Sequence, residues 1–434
     1  MIKIKKVGHI ILITLGIILA LNAILLLSLN TSFIQEKIVK KVTSTLSEKT
    51  GTNILIGHIQ IDIFDGIFIQ DLFLEDTRKD TLAYIHQLNV DYSLKAVYKH
   101  NTITLKRVSL QDFVVNLNKE NDSTDYNYQF LIDAFSSNEP DTSATTPFNM
   151  EIGQILLVNG SFRHNIMDAE KTPELFNVKD LRIDSLNTNL SLSLSLPSSI
   201  ESEITDLSFN EKSGLSLNHI EANGSFFIDS LIEIPHLKIK TPNSYLSGDS
   251  VAYQLTNNEI FAKITEASVT PSDFQCFSPM LSNLSSAISL KTEAHLLLPS
   301  LEISHTNIEY PNVINLTANH ISIDDYANWE EAKLSAQEIL LQASSQLPSE
   351  LKKTLDISLP SMVDSLLPCT ISLNANGSLP QLKEELTLQT PIGNIITEGN
   401  TSYLHKQGEL SSQNNWNVKI STLQPIIHSN MVEH

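Results

Sequence analysis

A few patterns in this 434-residue chain could do chemistry, and each lacks the partners that the chemistry needs. Ser349-x-x-Lys352 has the spacing at which a lysine one helical turn away can activate a serine hydroxyl. No companion motif follows it, and Pro348 places it at a helix start. Asp324-Asp325 and Glu330-Glu331 offer paired carboxylates, but read as helix-start charges set against the helix dipole. The 13 histidines are scattered, without the His-Glu-x-x-His spacing that puts two ligands on one helix face. The chain contains no phosphate-cradling glycine loop and no nucleophile elbow. Cys276 and Cys369 are too few and too far apart for a disulfide framework, and pair only if the chain is exported. No catalytic residue, cofactor or metal site is assigned, and the chain reads as a non-enzyme.

The elements around these residues point elsewhere. Net charge is −20, which excludes nucleic acid as a partner, because a phosphate backbone attracts Lys and Arg. Apolar residues make up 41% and charged residues only 18%, with Ser, Thr and Asn filling the gap, a balance that favours strands and turns. Residues 1–30 are expected to be a cytoplasmic N-terminus and a transmembrane anchor. The uncharged run Ile10–Leu29 includes Ile10, Leu15, Ile18, Leu25 and Leu29. As a helix, these twenty residues would span about 30 Å, a hydrocarbon core. Lys3, Lys5 and Lys6 hold the N-terminus inside. The run is longer than a signal-peptide core and ends in Ser-Leu-Asn, so an uncleaved anchor is expected.

Residues 31–51 predict an amphipathic helix. Thr31 or Ser32 caps it, Ile34, Ile38, Val42 and Leu46 form one stripe, Lys37, Lys40, Lys41 and Lys49 lie off it, and Gly51 ends it. Such a helix either lies on the membrane face or plugs the end of a β core.

Residues 52–135 form an N-terminal β region. Ile54, Ile56, Ile59, Ile61 and Ile63 alternate with polar neighbours, with a change of phase at Gly57. Asp65-Gly66 signals a hairpin, and Ile67 and Ile69 follow it. These seven isoleucines are candidates for lining an apolar groove or for filling a closed core. Residues 136–150 read as a linker, and 151–434 as an extended β region with short helices over Pro271–Leu281, Tyr326–Leu341 and Pro348–Leu355. Asn159-Gly160, Asn223-Gly224 and Asn376-Gly377 sit between apolar residues and predict hairpin turns, without a fixed repeat length. The fold class is mostly β: after the two N-terminal helices, a long antiparallel sheet of about 25 strands that hides one apolar face by closing or by curling into a trough.

Two stretches carry a resemblance. The segment from Ser32 to Asp76, ending in TGTNILIGHIQIDIFDGIFIQDLFLED, with the following DTLAYIHQLNVDYSLKAVYKHNTITLKRVSLQDFVVNL, resembles the start of TamB-like proteins of the AsmA-like group. SSQLPSELKKTLDISLP and the LLPCTISLNANGSLPQLKEELTLQTPIGNIITEGN just after it resemble later stretches of Bacteroidetes-type members. Together they cover about half the chain. The resemblance implies an inner-membrane anchor and a periplasmic β-groove. It also implies phospholipid as cargo, with a role in phospholipid transport, outer-membrane protein assembly or secretion, an outer-membrane assembly protein as partner, and no catalytic residues. Family members are usually far longer. The alternative reading is a membrane-tethered structural or adhesive β protein with a closed core.

Overall fold

The structure is a computed structural model. It describes residues 32–62, 65–92, 102–135, 148–172, 174–284, 286–328, 331–378, 380–404 and 409–422. The chain is mostly β: among the described residues, twenty strands are assigned to a mixed sheet, with few helices. Backbone contacts divide it into two compact units. The apolar run Ile10–Leu29, with Ile10, Leu15, Ile18, Leu25 and Leu29, lies outside the described residues, as does Ile63. Among the described residues, no helix is long and apolar enough to cross a membrane.

The first unit opens with α1 (Ser32–Thr50). Gly51 ends it as expected: its φ of 69° is left-handed, and its N–H donates to the Ser47 carbonyl at 2.9 Å. Strands β1 (Ile54–Asp62), β2 (Gly66–Glu75), β3 (Thr81–Tyr92) and β4 (Thr102–Lys119) follow in antiparallel order. The Asp65-Gly66 hairpin forms, pairing Asp62 with Gly66. The chain then runs through α2 (Gln129–Phe135) to β5 (Phe148–Ile166), which lies parallel to β4. This step makes the sheet mixed rather than antiparallel throughout. The connection is long enough for the crossover that parallel pairing needs. β6 (Asp180–Leu196) returns antiparallel to β5, and β7 (Ser199–Glu211) gives its last residues to this unit.

Asp71, Asp112, Asn159 and Ser185 all have left-handed φ angles, between 50° and 55°, in the middle of strands. Asn159-Gly160 is therefore a bulge within β5 and not a hairpin turn. The Asn159 Nδ2 donates to Asp112 Oδ1 at 2.6 Å, tying two of these irregular positions together. The register of β5 against β6 shifts around Asn159 and Ser185, while the pairings through Asp71 and Asp112 stay in step and only the side-chain alternation changes there. Burial accordingly changes phase at Gly57, opposite Asp71: Ile54, Ile56 and Ile59 are all buried, while the pairing register is unbroken.

In the second unit, the start of β7 pairs with β9 (His219–Phe227); β8 (Ser216–Leu217) is a two-residue strand. Then come β10 (Leu231–Lys240), β11 (Tyr245–Gln254), β12 (Glu259–Val269), β13 (Ile288–Leu297), β14 (Ser300–Tyr310), β15 (Ile314–Ile323) and β16 (Lys333–Ala343). The run ends with β17 (Cys369–Ser378), β18 (Gln381–Thr390), β19 (Gly393–Leu404) and β20 (Glu409–Ile420), each antiparallel to the one before. Two 3-10 helices, η1 (Pro271–Phe274) and η2 (Pro279–Asn283), interrupt β12 and β13 where a helix is predicted. α3 (Leu347–Leu355) and the 3-10 helix η3 (Ser361–Leu366) interrupt β16 and β17.

Two expectations fail here. Residues 333–343 are β16, not part of a helix. Glu338 is left-handed at φ 53°, so the inward residues Leu334, Ala336, Ile339 and Leu341 skip one position, and a strand imitates helical spacing. Asn223-Gly224 lies inside β9, and Asn376-Gly377 lies in β17 just before its hairpin. Both are strand residues because long neighbouring strands continue the hydrogen-bond ladder past them.

Candidate functional site: an apolar face with few covering elements

Cross-strand register turns scattered apolar residues into rows. In the second unit Ile220 faces Ile239, and the row continues through Leu246, Ala267, Leu290 and Ile308. It then runs through Leu316, Leu341, Ile371, Leu388 and Ile395 to Val418. Every position in twelve successive strands, β9 to β20, is apolar. The adjacent row, one residue along each strand, is His219, Lys240, Tyr245, Ser268, Ser289 and Glu309, then Asn315, Gln342, Thr370, Gln389, Asn394 and Lys419. Successive side chains point to opposite faces of a sheet, so one face is apolar and the other polar. At about 4.8 Å per strand the apolar row is on the order of 50 Å long.

Its burial is unusual for a core. Ala267 is buried and Val418 is 52% exposed, but the other ten residues are half-buried. A closed core would bury most of them.

Short helices link the strand ends nearest this row: η1 and η2 join β12 to β13, and α3 and η3 join β16 to β17. η2 touches both η1 and α3. Tyr310, at the end of the row's face, donates its hydroxyl to Glu350 Oε2 of α3 at 3.1 Å. Phe176 packs on Phe277 with ring centroids 5.1 Å apart, beside the fully buried Cys276. Asp273 of η1 accepts hydrogen bonds from Asn243 N, Asn243 Nδ2 and Ser244 Oγ at 2.8–2.9 Å, and from the Thr241 hydroxyl. Partial burial opposes ionisation of Asp273, but these donors outweigh it and hold its carboxyl below the usual range.

The first unit repeats the pattern across fewer strands. Ile61 faces Ile67, followed by Val90, Val108, Ile155 and Leu190, all half-buried. The neighbouring row starts from Ile59 and Ile69 and runs through Leu88, Leu110 and Leu157 to Thr188. Of the seven isoleucines singled out from the sequence, Ile61, Ile67 and Ile69 are half-buried, and Ile63 is not described. Ile54, Ile56 and Ile59 are enclosed in protein, at 3%, 9% and 4% exposure. α1 packs against β1, and Ser47 Oγ accepts from Ile54 N at 3.0 Å, so this part of the helix acts as a plug over the strand.

The residues with possible chemistry are spent locally. Ser349 donates to the Gln346 carbonyl and Lys352 pairs with Asp356, so the two are not coupled. Asp324 and Asp325 are turn residues rather than helix-start charges, accepting from Lys333 N and from Ala327 N and Asn328 N. Several histidines form single pairs with carboxylates, as His86 with Asp71 at 2.8 Å and His295 with Glu259 at 2.6 Å. No group of three or more potential metal ligands converges among the described residues. Cys276 and Cys369 are free thiols.

Sequence reading missed the second-unit row because it depends on register. Left-handed Ser250, His305 and Glu338 shift the apolar phase within single strands, so alternation alone does not identify one continuous face. No protein-family model, curated protein or solved structure matches the chain. The class defined by the structure is a mostly β protein with a long two-faced sheet.

Proposed function

We propose that this chain is a periplasmic scaffold, anchored in the inner membrane by Ile10–Leu29, whose apolar face carries phospholipid acyl chains toward the outer membrane. Assistance to outer-membrane protein assembly fits the same surface. The unbroken, half-buried apolar row from Ile220 to Val418 carries the proposal. Moving an acyl chain through water costs about 0.8 kcal/mol per exposed CH₂. A row of leucines and isoleucines offsets that cost at every strand and needs no pocket. Bulges that bend successive strands at one level favour a curled sheet, which would shelter the chains further. The resemblance to TamB-like proteins supports the same reading.

Photo-crosslinking in cells tests it. A crosslinker replacing Leu316 should trap phospholipid, and one at the adjacent Asn315 should not. The pair Ile61 and Asp62 makes the same comparison in the first unit. Absence of lipid adducts at Leu316, Ile371 and Leu388 would refute the conduit.

A further inference from the structure

One ionisable side chain stands on the apolar face of β18. Glu384 lies between Leu382 and Leu386 on its own strand, all three half-buried, and faces Ala375 of β17 and Gly399 of β19. Its Oε1 accepts from Thr401 Oγ1 at 2.7 Å and from Asn414 Nδ2 at 2.8 Å. Asn414 also donates to Thr397 Oγ1 at 3.2 Å, and Thr397 is itself buried. Gly399 makes the arrangement possible, since a Cβ there would lie 2.2 Å from Asn414 Oδ1. The carboxylate is thus oriented by two donors, Thr401 from the adjacent β19 and Asn414 from β20 beyond it.

It has no counter-charge: among the described residues, no Lys, Arg or His pairs with Glu384. Lys383 and Lys419 belong to the opposite face by strand alternation. Leu382 and Leu386 flank the carboxylate along its strand, and a cationic hydrogen-bond donor is the partner that its charge and its second oxygen suit. Its two bonds occupy one oxygen and leave Oε2 for that partner.

We infer that Glu384, positioned by Thr401 and Asn414, binds the primary ammonium group of an amphiphile whose acyl chains lie on the apolar rows. This inference rests on the proposed conduit and adds a headgroup preference to it. Charge complementarity selects an ammonium, and the leucines on both sides select a cargo with hydrocarbon tails. A primary ammonium carries three donors, and a quaternary one has none with which to reach Oε2.

The test uses the purified full chain in mixed micelles with a photo-crosslinker at Leu388. Phosphatidylethanolamine and phosphatidylglycerol of identical acyl chains compete in equal amounts. The expected preference for the ethanolamine lipid is about ten-fold, the size of one hydrogen bond to a charged group. Glu384→Gln keeps the shape and the Thr401 and Asn414 contacts, and should bring the ratio near one. Equal yields from the unaltered chain, or a preference that survives Glu384→Gln, would overturn the inference and leave the conduit standing. Absence of adducts with either lipid would overturn both. Preferential capture of an oligolysine peptide over the ethanolamine lipid would assign the site to a protein partner and likewise overturn it.

Discussion

Gly160→Ala adds one methyl group where β5 lies against the Phe113 ring of β4. Gly160 is buried within β5, and a Cβ built there falls 2.1 Å from Phe113 Cζ, with Cε1 at 2.5 Å and Cε2 at 2.8 Å. Carbon atoms in contact sit about 3.5–4.0 Å apart, so the ring must move by more than 1 Å. Phe113 is only 5% exposed and has little free space around it. The φ of Gly160 is not left-handed, so alanine fits the backbone, and in a strand it is slightly favoured over glycine. The cost is therefore steric alone, about 1–3 kcal/mol for overpacking a filled site. Urea denaturation of the detergent-solubilised full chain, read by tyrosine fluorescence and limited proteolysis, should show a lower midpoint. Phe113→Leu removes the part of the ring that meets the new methyl. The double variant should then lose less stability than the two single variants together, with a coupling of about 1 kcal/mol. Full stability of Gly160→Ala, or strict additivity with Phe113→Leu, would refute the packing described here.

Further predictions concern the apolar face and the elements next to it. Leu316→Asp should cut lipid crosslinking at neighbouring Ile371 several-fold while leaving circular dichroism unchanged, because it places a charge on a half-buried row; unchanged crosslinking would mean that acyl chains do not follow this row. Asp273→Ala removes the acceptor of four hydrogen bonds between η1 and the β10–β11 turn and should cost about 1–3 kcal/mol, measured as a shift in the denaturation midpoint. The Asp273 carboxyl titrates lower in the folded chain than in the unfolded one, so its stabilisation is fully present above about pH 4, the unfolded carboxylate value, and fades as pH falls below it. The gap between wild-type and Asp273→Asn midpoints should therefore narrow on acidification. Gly51→Val forces a β-branched residue to φ 69° at the end of α1 and should destabilise the helix by about 1–2 kcal/mol, visible as faster proteolysis near Thr50.

Elements whose signals are short-range are legible in the residues alone. Gly51 marks the end of α1 because a left-handed C′ residue favours glycine, and Pro348 marks the first turn of α3 because proline suits it. Alternating isoleucines from Ile54 to Ile69 gave the first strands and their hairpin, including the phase change at Gly57. Asn159-Gly160 looked like a turn because its conformational preference is the same in a turn and in a bulge; pairing of β5 with β4 and β6 on both sides decided for the bulge. Residues 333–343 looked helical for a related reason: one left-handed residue inside a strand changes the spacing of its inward side chains. The parallel step from β4 to β5 leaves no mark on either strand, since alternation is the same in both directions. The candidate site depended most on tertiary structure. Ile239, Leu316 and Val418 become one surface only through register, a property of pairs of strands. Ile54 and Ile61 have the same local pattern, yet Ile54 is enclosed and Ile61 half-exposed. Periodicity tells a residue which face it belongs to, and only packing decides what covers that face.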